Sequence, residues 1–307
     1  MIDSPAVSRY SLFRLKIIPT KHQDFTTLFS FEVNKGQLLK RLISSAPIGN
    51  VKKNQRWAVA KDIDSDLNTH CISFQFGRIR KKIKSKFDDE NLTFSKAVID
   101  DTEYTNCIYF EKLQLLAIKH STGITAKVTT IAKSLCTLIS KQTQENCDLT
   151  NNEASLLKMS KIVAPEIQNS VSFIKELKNA YKISKFKIEI GIPNPPDYKS
   201  LIEEPLEALT KGGNSLSTTV KASNNYKGLK ADFFADIAKG AAISNNHVTA
   251  HIHYSEKDQK GHSISIRQNE EPAFIDIQDE GLTLNVVANK IITFFKNIAP
   301  SNNSNPL

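Results

Sequence analysis

Between Ile72 and Phe87 the chain alternates apolar and polar residues with a period of two, and the alternation changes parity partway. Ile72, Phe74 and Phe76 occupy even positions, whereas Ile79, Ile83 and Phe87 occupy odd ones. A strand sends successive side chains to opposite faces. One strand over this stretch is therefore predicted to carry a bulge, and Gly77 is the residue that admits it. The spacing of Ile79, Ile83 and Phe87 also fits a helix face. The alternation before it and the turn residues Asp88-Asp89-Glu90-Asn91 after it favour the strand. Leu92, Phe94 and Lys96 alternate with Thr93, Ser95 and Ala97 as a return strand. Asn106–Tyr109 and Leu113–Lys119 form a tighter pair about a turn at Phe110–Lys112.

The same reading places elements along the rest of the chain. Tyr10–Ile17 is a first strand, apolar on its odd face through Phe13, Leu15 and Ile17. Leu38, Leu39, Leu42 and Ile43 share a helix face closed by Pro47. Trp57–Ala60 is a strand. Val128, Ile131, Ala132, Leu135, Leu138 and Ile139 line one face of a helix over 125–141. Polar residues 142–152 then mark a boundary. Beyond it the spacing predicts a helix over 165–181, a strand over 185–192, a helix over 201–210 and a strand over 216–222. A helix over 229–238 capped by Gly240 follows. His247–Tyr254 and His262–Gln268 form a hairpin, Phe274–Ile277 a strand, and Val287–Ile298 a last helix. The expected fold class is α+β with two domains, 1–145 and 146–299, each a mixed or antiparallel sheet with packed amphipathic helices. Residues 300–307 are expected to be a disordered tail.

Charge sharpens this picture. The net charge is +9. Residues 1–150 hold 23 Lys and Arg against 15 Asp and Glu, whereas residues 151–307 hold 18 against 17. A polyanion-binding surface is therefore expected in the first half. Arg78, Arg80, Lys82, Lys84 and Lys86 take every second position of the ribbon, with Lys81 beside them and Lys52-Lys53 upstream. Such a row suits phosphates, with double-stranded DNA or another polyanion as the partner. The competing reading is a solvated face, or an edge strand guarded by lysines. Cys71, Cys107, Cys136 and Cys147 form no CxxC pair, so reduced thiols and a cytoplasmic location are expected. No apolar run is long enough to insert directly into a membrane.

Catalytic and metal-binding chemistry have weaker signals. His120-Ser-Thr122 and His247-Val-Thr249 are paired His-x-Thr motifs, of the kind in which two imidazoles act as acid and base on a phosphodiester. His247, His251 and His253 fall on one strand face and could ligate zinc, but no Cys or carboxylate cluster accompanies them. Asp62, Asp64 and Asp66 begin like a calcium loop, yet Leu67 replaces the required Gly and Ser73 the required Glu. They read as an acidic hairpin tip. No phosphate loop, dinucleotide fingerprint or nucleophile elbow is present. No cofactor is called for, and binding is favoured over catalysis.

In its order of elements the chain resembles the RexA phage-exclusion proteins and the B component of the Kiwa anti-phage system. The likeness runs over residues 10–298. It rests on the basic hairpin region, the pair around Cys107-Ile-Tyr-Phe-Glu and Leu115-Leu-Ala-Ile-Lys, and the helix at 125–141. The strand Phe186-Lys-Ile-Glu-Ile190 with the following Pro193-Asn-Pro-Pro-Asp, the late hairpin and the closing helix complete it. The resemblance implies a homodimer that binds double-stranded DNA without sequence preference in phage defence, with no established catalytic residues; a membrane-protein partner is a further expectation. It anchors no functional residue individually. A phosphodiesterase or nuclease using His120 and His247 is the alternative. A scaffold for a toxic or membrane effector, binding no nucleic acid, is the third reading.

Overall fold

The structure is a computed structural model, and it describes residues 7–20, 33–52, 55–88, 91, 93–121, 123–142, 147–190, 218–243, 246–266 and 273–298. The described strands are β1 (Val7–Arg14), β2 (Lys16–Pro19), β3 (Ile48–Lys52), β4 (Gln55–Asp66), β5 (Cys71–Asp88), β6 (Thr93–Phe110) and β7 (Leu115–Lys119). The later ones are β8 (Ser160–Val163), β9 (Lys182–Ile190), β10 (Thr218–Ser223), β11 (His247–His253), β12 (His262–Ser265) and β13 (Phe274–Gln278). The helices are α1 (Lys35–Ser44), α2 (Val128–Ile139), α3 (Asn151–Met159), α4 (Val171–Asn179), α5 (Ala231–Ile243) and α6 (Leu284–Ile298). The fold is α+β, and every described strand pair is antiparallel.

A seven-stranded sheet in the order β13-β1-β7-β6-β5-β4-β3 forms the main layer. Both of its faces are covered. Phe13, Trp57, Phe74, Phe76, Tyr109 and Leu116 pack on one side against α1, α2 and α3. Tyr10, Leu12, Ile108, Phe110 and Ala117 pack on the other against α6. The first strand is therefore apolar on both faces, not on the odd face alone, as a strand covered on two sides must be. Its run breaks at Leu15, where β2 leaves to pair with β8.

The sheet does not respect the expected boundary at 145/146. Its edge strand β13 and helix α6 come from the end of the chain, and α3 and β8 serve the core of the first half. Asp279 fastens that return. Its carboxylate accepts hydrogen bonds from Ser8 Oγ (2.6 Å), Tyr10 OH (2.7 Å) and Lys119 Nζ (2.7 Å). Burial raises its pKa, but the three donors outweigh burial and hold the carboxyl below its usual range.

A second sheet has the order β10-β9-β11-β12, with α4 and α5 on one face over Phe186, Ile188, Val248, Ala250 and Ile252. Two helix expectations change. The helix expected over 165–181 begins only at Val171. Residues before it run extended along β1, where Arg14 N–H donates to the Pro165 carbonyl and Ile167 N–H to that of Leu12. Gly240 is not a cap but lies inside α5, buried among alanines that let the helix approach the sheet closely. The expected helix at 201–210 and the tail at 300–307 lie outside the described residues.

Candidate nucleic-acid interface

The hairpin of β5 and β6 carries the predicted cations. Its register is unbroken from Cys71 opposite Phe110 to Asp88 opposite Thr93. Gly77 therefore marks no bulge. The irregularity lies in the neighbouring strand, between Val59 and Ile63 of β4. Gly77 is instead required by close approach, since a Cβ there would fall 2.7 Å from the Tyr104 Cβ. The return strand and the later strand at 106–109, read separately from the sequence, are one 18-residue strand.

With no change of parity, the face that begins with Ile72, Phe74 and Phe76 continues directly into Arg78 and Arg80. Trp57 stacks on Phe76 at 5.0 Å, and the Arg78 guanidinium lies 5.7 Å from the Trp57 ring. Arg78 is only 8% exposed. It donates to Glu103 Oε2 at 2.7 Å and to Thr125 Oγ1 at 2.9 Å, and Glu103 also accepts from the Thr125 amide. This residue closes the core and leaves the set of phosphate contacts. Arg80 is more open. It reaches Thr125 Oγ1 at 3.1 Å and stands 3.6 Å from Glu103.

Beyond Arg80 the hairpin pairs with no other described strand. The pairing of β4 with β5 ends at Arg56 opposite Ile79, and that of β6 with β7 begins only at Cys107 opposite Ile118. Between these limits the described pairing of residues 80–88 and 93–101 is with each other alone. At about 3.4 Å per residue this is an arm roughly 30 Å long. Lys81 is exposed and opposite Asp100. Lys82, Lys84 and Lys86 stand opposite Ile99, Ala97 and Ser95, and their side chains lie outside the described residues. Lys96 is exposed. Acids occupy the root, through Asp100, Asp101 and Glu103, and the turn begins with Asp88. The cationic stretch is thus the middle of the arm. Lys52 and Arg56 are exposed at its root, and Lys53 lies outside the described residues.

The other predicted sites disperse. His120 follows β7 in the seven-stranded sheet and shares a 2.7 Å hydrogen bond with Ser11 Oγ. His247 starts β11 in the four-stranded sheet, opposite Glu189. The two imidazoles therefore stand in different sheets; Thr249 is in β11 opposite Lys187, and Thr122 lies outside the described residues. Asp62 and Asp64 are exposed along β4, which runs on through Asp66, and Asp66 accepts from the Thr69 amide in the turn that follows.

His251 and His253 do meet, 5.3 Å apart, on a device the sequence did not announce. One extra residue of β9, Ser184, bulges opposite the step from His251 to Ile252. Its hydroxyl lies 3.2 Å from His251 Nδ1 and 3.2 Å from His253 Nε2. His253 Nδ1 donates to the Asp258 carbonyl at 2.6 Å, which leaves its Nε2 to accept in the neutral ring. Gly261, at φ +65°, presses so close that a Cβ would collide with both rings. Among the described residues no group of three or more His, Cys, Asp or Glu is arranged to hold a metal ion, and no helix is long and apolar enough to cross a membrane. All four cysteines are free thiols, and burial raises the pKa of each. No protein-family model matches the chain, and no curated protein matches it.

Proposed function

We propose that the protein binds nucleic acid without strong sequence preference, with the β5–β6 arm as its principal contact and duplex DNA as its main partner. The carrying observation is the arm itself: a two-stranded ribbon paired with no other described strand, cationic along its middle and bracketed by acids at root and turn. A two-stranded ribbon is narrow enough for a major groove. Lysines supply point charges to phosphates rather than a base code, so affinity should depend little on sequence. The proposed contacts are Arg80, Lys81, Lys82, Lys84 and Lys86, with Lys52 at the root. The likeness to phage-exclusion proteins supplies the proposed setting, defence against phage in the cytoplasm.

Salt tests this reading. Each neutralised phosphate contributes about 0.9 to the negative slope of log K against log salt on duplex DNA. Fluorescence anisotropy of unrelated duplexes, titrated at several salt concentrations, is expected to give one steep common slope of roughly 5. A flat dependence, or an affinity set by sequence, would contradict it.

A further inference from the structure

Among the described residues, the second sheet has helices on one face only. Its other face presents Thr219, Lys221 and Ser223 from β10, Lys185, Lys187 and Glu189 from β9, His247, Thr249 and His251 from β11, and Ser263 and Ser265 from β12. All of these residues are exposed or half-exposed. An open polar face is ordinary for an antiparallel sheet. The register makes this one unusual. Lys187 stands directly opposite Lys221, and beside them Lys185 stands directly opposite His251. The Lys187–Lys221 pair sets like charges directly across the sheet, which is destabilising. Glu189, the one acid of the face among the described residues, is held by Lys187 at 2.6 Å.

We infer that this open face binds the phosphate backbone of single-stranded nucleic acid, whose phosphates would lie over the Lys187–Lys221 and Lys185–His251 pairs. The inference does not rest on the arm reading. Charge complementarity identifies a polyanion. The width favours a single strand: four strands make a surface about 14 Å across, and a flexible chain can follow its twist where a rigid, convex duplex cannot. Serine and threonine hydroxyls supply further donors to phosphate oxygens. Among the described residues the face carries no Phe, Tyr or Trp, so stacking is limited to its imidazoles and sequence preference should be slight.

His251 makes the site responsive to pH. Its pKa lies below the ordinary value because of burial, then because of His253, Lys185 and His262, with Asp258 alone opposing. Ser184 and Gly261 complete its surroundings. A phosphate over Lys185 and His251 favours the charged imidazole. By linkage, binding takes up a proton, and it should tighten as pH falls from 8 towards 6.

The test uses the full chain and fluorescein-labelled oligo(dT), at pH 6 and pH 8 and constant ionic strength. Replacing Lys185, Lys187 and Lys221 together by alanine should weaken oligo(dT) binding at least tenfold, and His251→Gln alone should abolish its pH dependence. Thermal unfolding of the alanine variant should occur at the same or a higher temperature, because the repulsion is gone. An arm variant with Arg80→Glu, Lys82→Glu and Lys84→Glu should keep oligo(dT) binding. Failure of the arm reading would appear separately, as unchanged duplex binding by that variant. Wild-type affinity of the alanine variant for oligo(dT), or loss of oligo(dT) binding in the arm variant alone, would overturn the inference.

Discussion

Reversing Arg80, Lys82 and Lys84 to glutamate together is expected to lower duplex affinity at least a hundredfold with the fold intact. Three attractive contacts become three repulsive ones. Like charges brought together at an interface cost several kcal/mol, and about 2.7 kcal/mol already corresponds to a hundredfold. The slope of log K against log salt should fall by about 2.7, three contacts at 0.9 each. Stability should change little. Positions 82 and 84 lie beyond the last pairing with β4, and surface substitutions away from special features usually stay within about 0.5 kcal/mol. Arg80 loses its Thr125 bond and its longer approach to Glu103, while Arg78 keeps both partners at shorter range. The control reverses Lys175, Lys178 and Lys182, far from the arm in sequence. Duplex binding that survives in the arm variant and fails in the control would remove the arm from the interface. Anisotropy and circular dichroism on the same samples separate lost binding from lost structure.

Glu103→Ala is expected to be the most damaging single change at the arm's root. Arg78 and Glu103 side chains are 9% and 13% exposed, and they are paired at 2.7 Å. Removing one partner of a buried pair leaves a charge uncompensated and typically costs about 3–5 kcal/mol. The change also takes the acceptor from the Thr125 backbone amide. Replacing both residues by apolar ones of similar volume, Arg78→Met with Glu103→Leu, should recover much of that loss, since the guanidinium already lies over Trp57. Chemical denaturation of the two variants measures the difference. Equal destabilisation by the single and the double change would mean that the pair, rather than the orphaned charge, carries the energy.

The sequence displayed the elements more clearly than their assembly. The alternation from Ile72 to Phe87 was enough for a strand, and the spacing of Ile131, Leu135 and Leu138 for a helix. The change of parity at Gly77 misled because a buried arginine was counted as polar surface. Arg78 sits where a core residue is expected, and its charge is answered by Glu103, 25 residues away. Only register reveals that partner. The boundary at 145/146 failed for a similar reason. Polar residues 142–152 look like a linker, but Asp279 returns the chain to Ser8, Tyr10 and Lys119. No local pattern encodes a contact across about 270 positions. On the second sheet, the alternation of Lys185-Phe-Lys-Ile-Glu was enough for a strand. That Lys187 would meet Lys221 depended on a strand pairing the periodicity does not specify.

The most direct test of the arm as the DNA contact is a tethered cleavage reagent. In a Cys147→Ser background the three remaining cysteines are buried. A cysteine replacing Asn91, exposed in the arm's turn, can then carry an iron chelate. The same reagent at Tyr226, 95% exposed beside the second sheet, serves as the control. With a random-sequence duplex, the reagent at position 91 should cut the DNA, and much more strongly than the reagent at 226. Cutting from 226 with none from 91, on duplex that is demonstrably bound, would place the contact elsewhere and contradict the account.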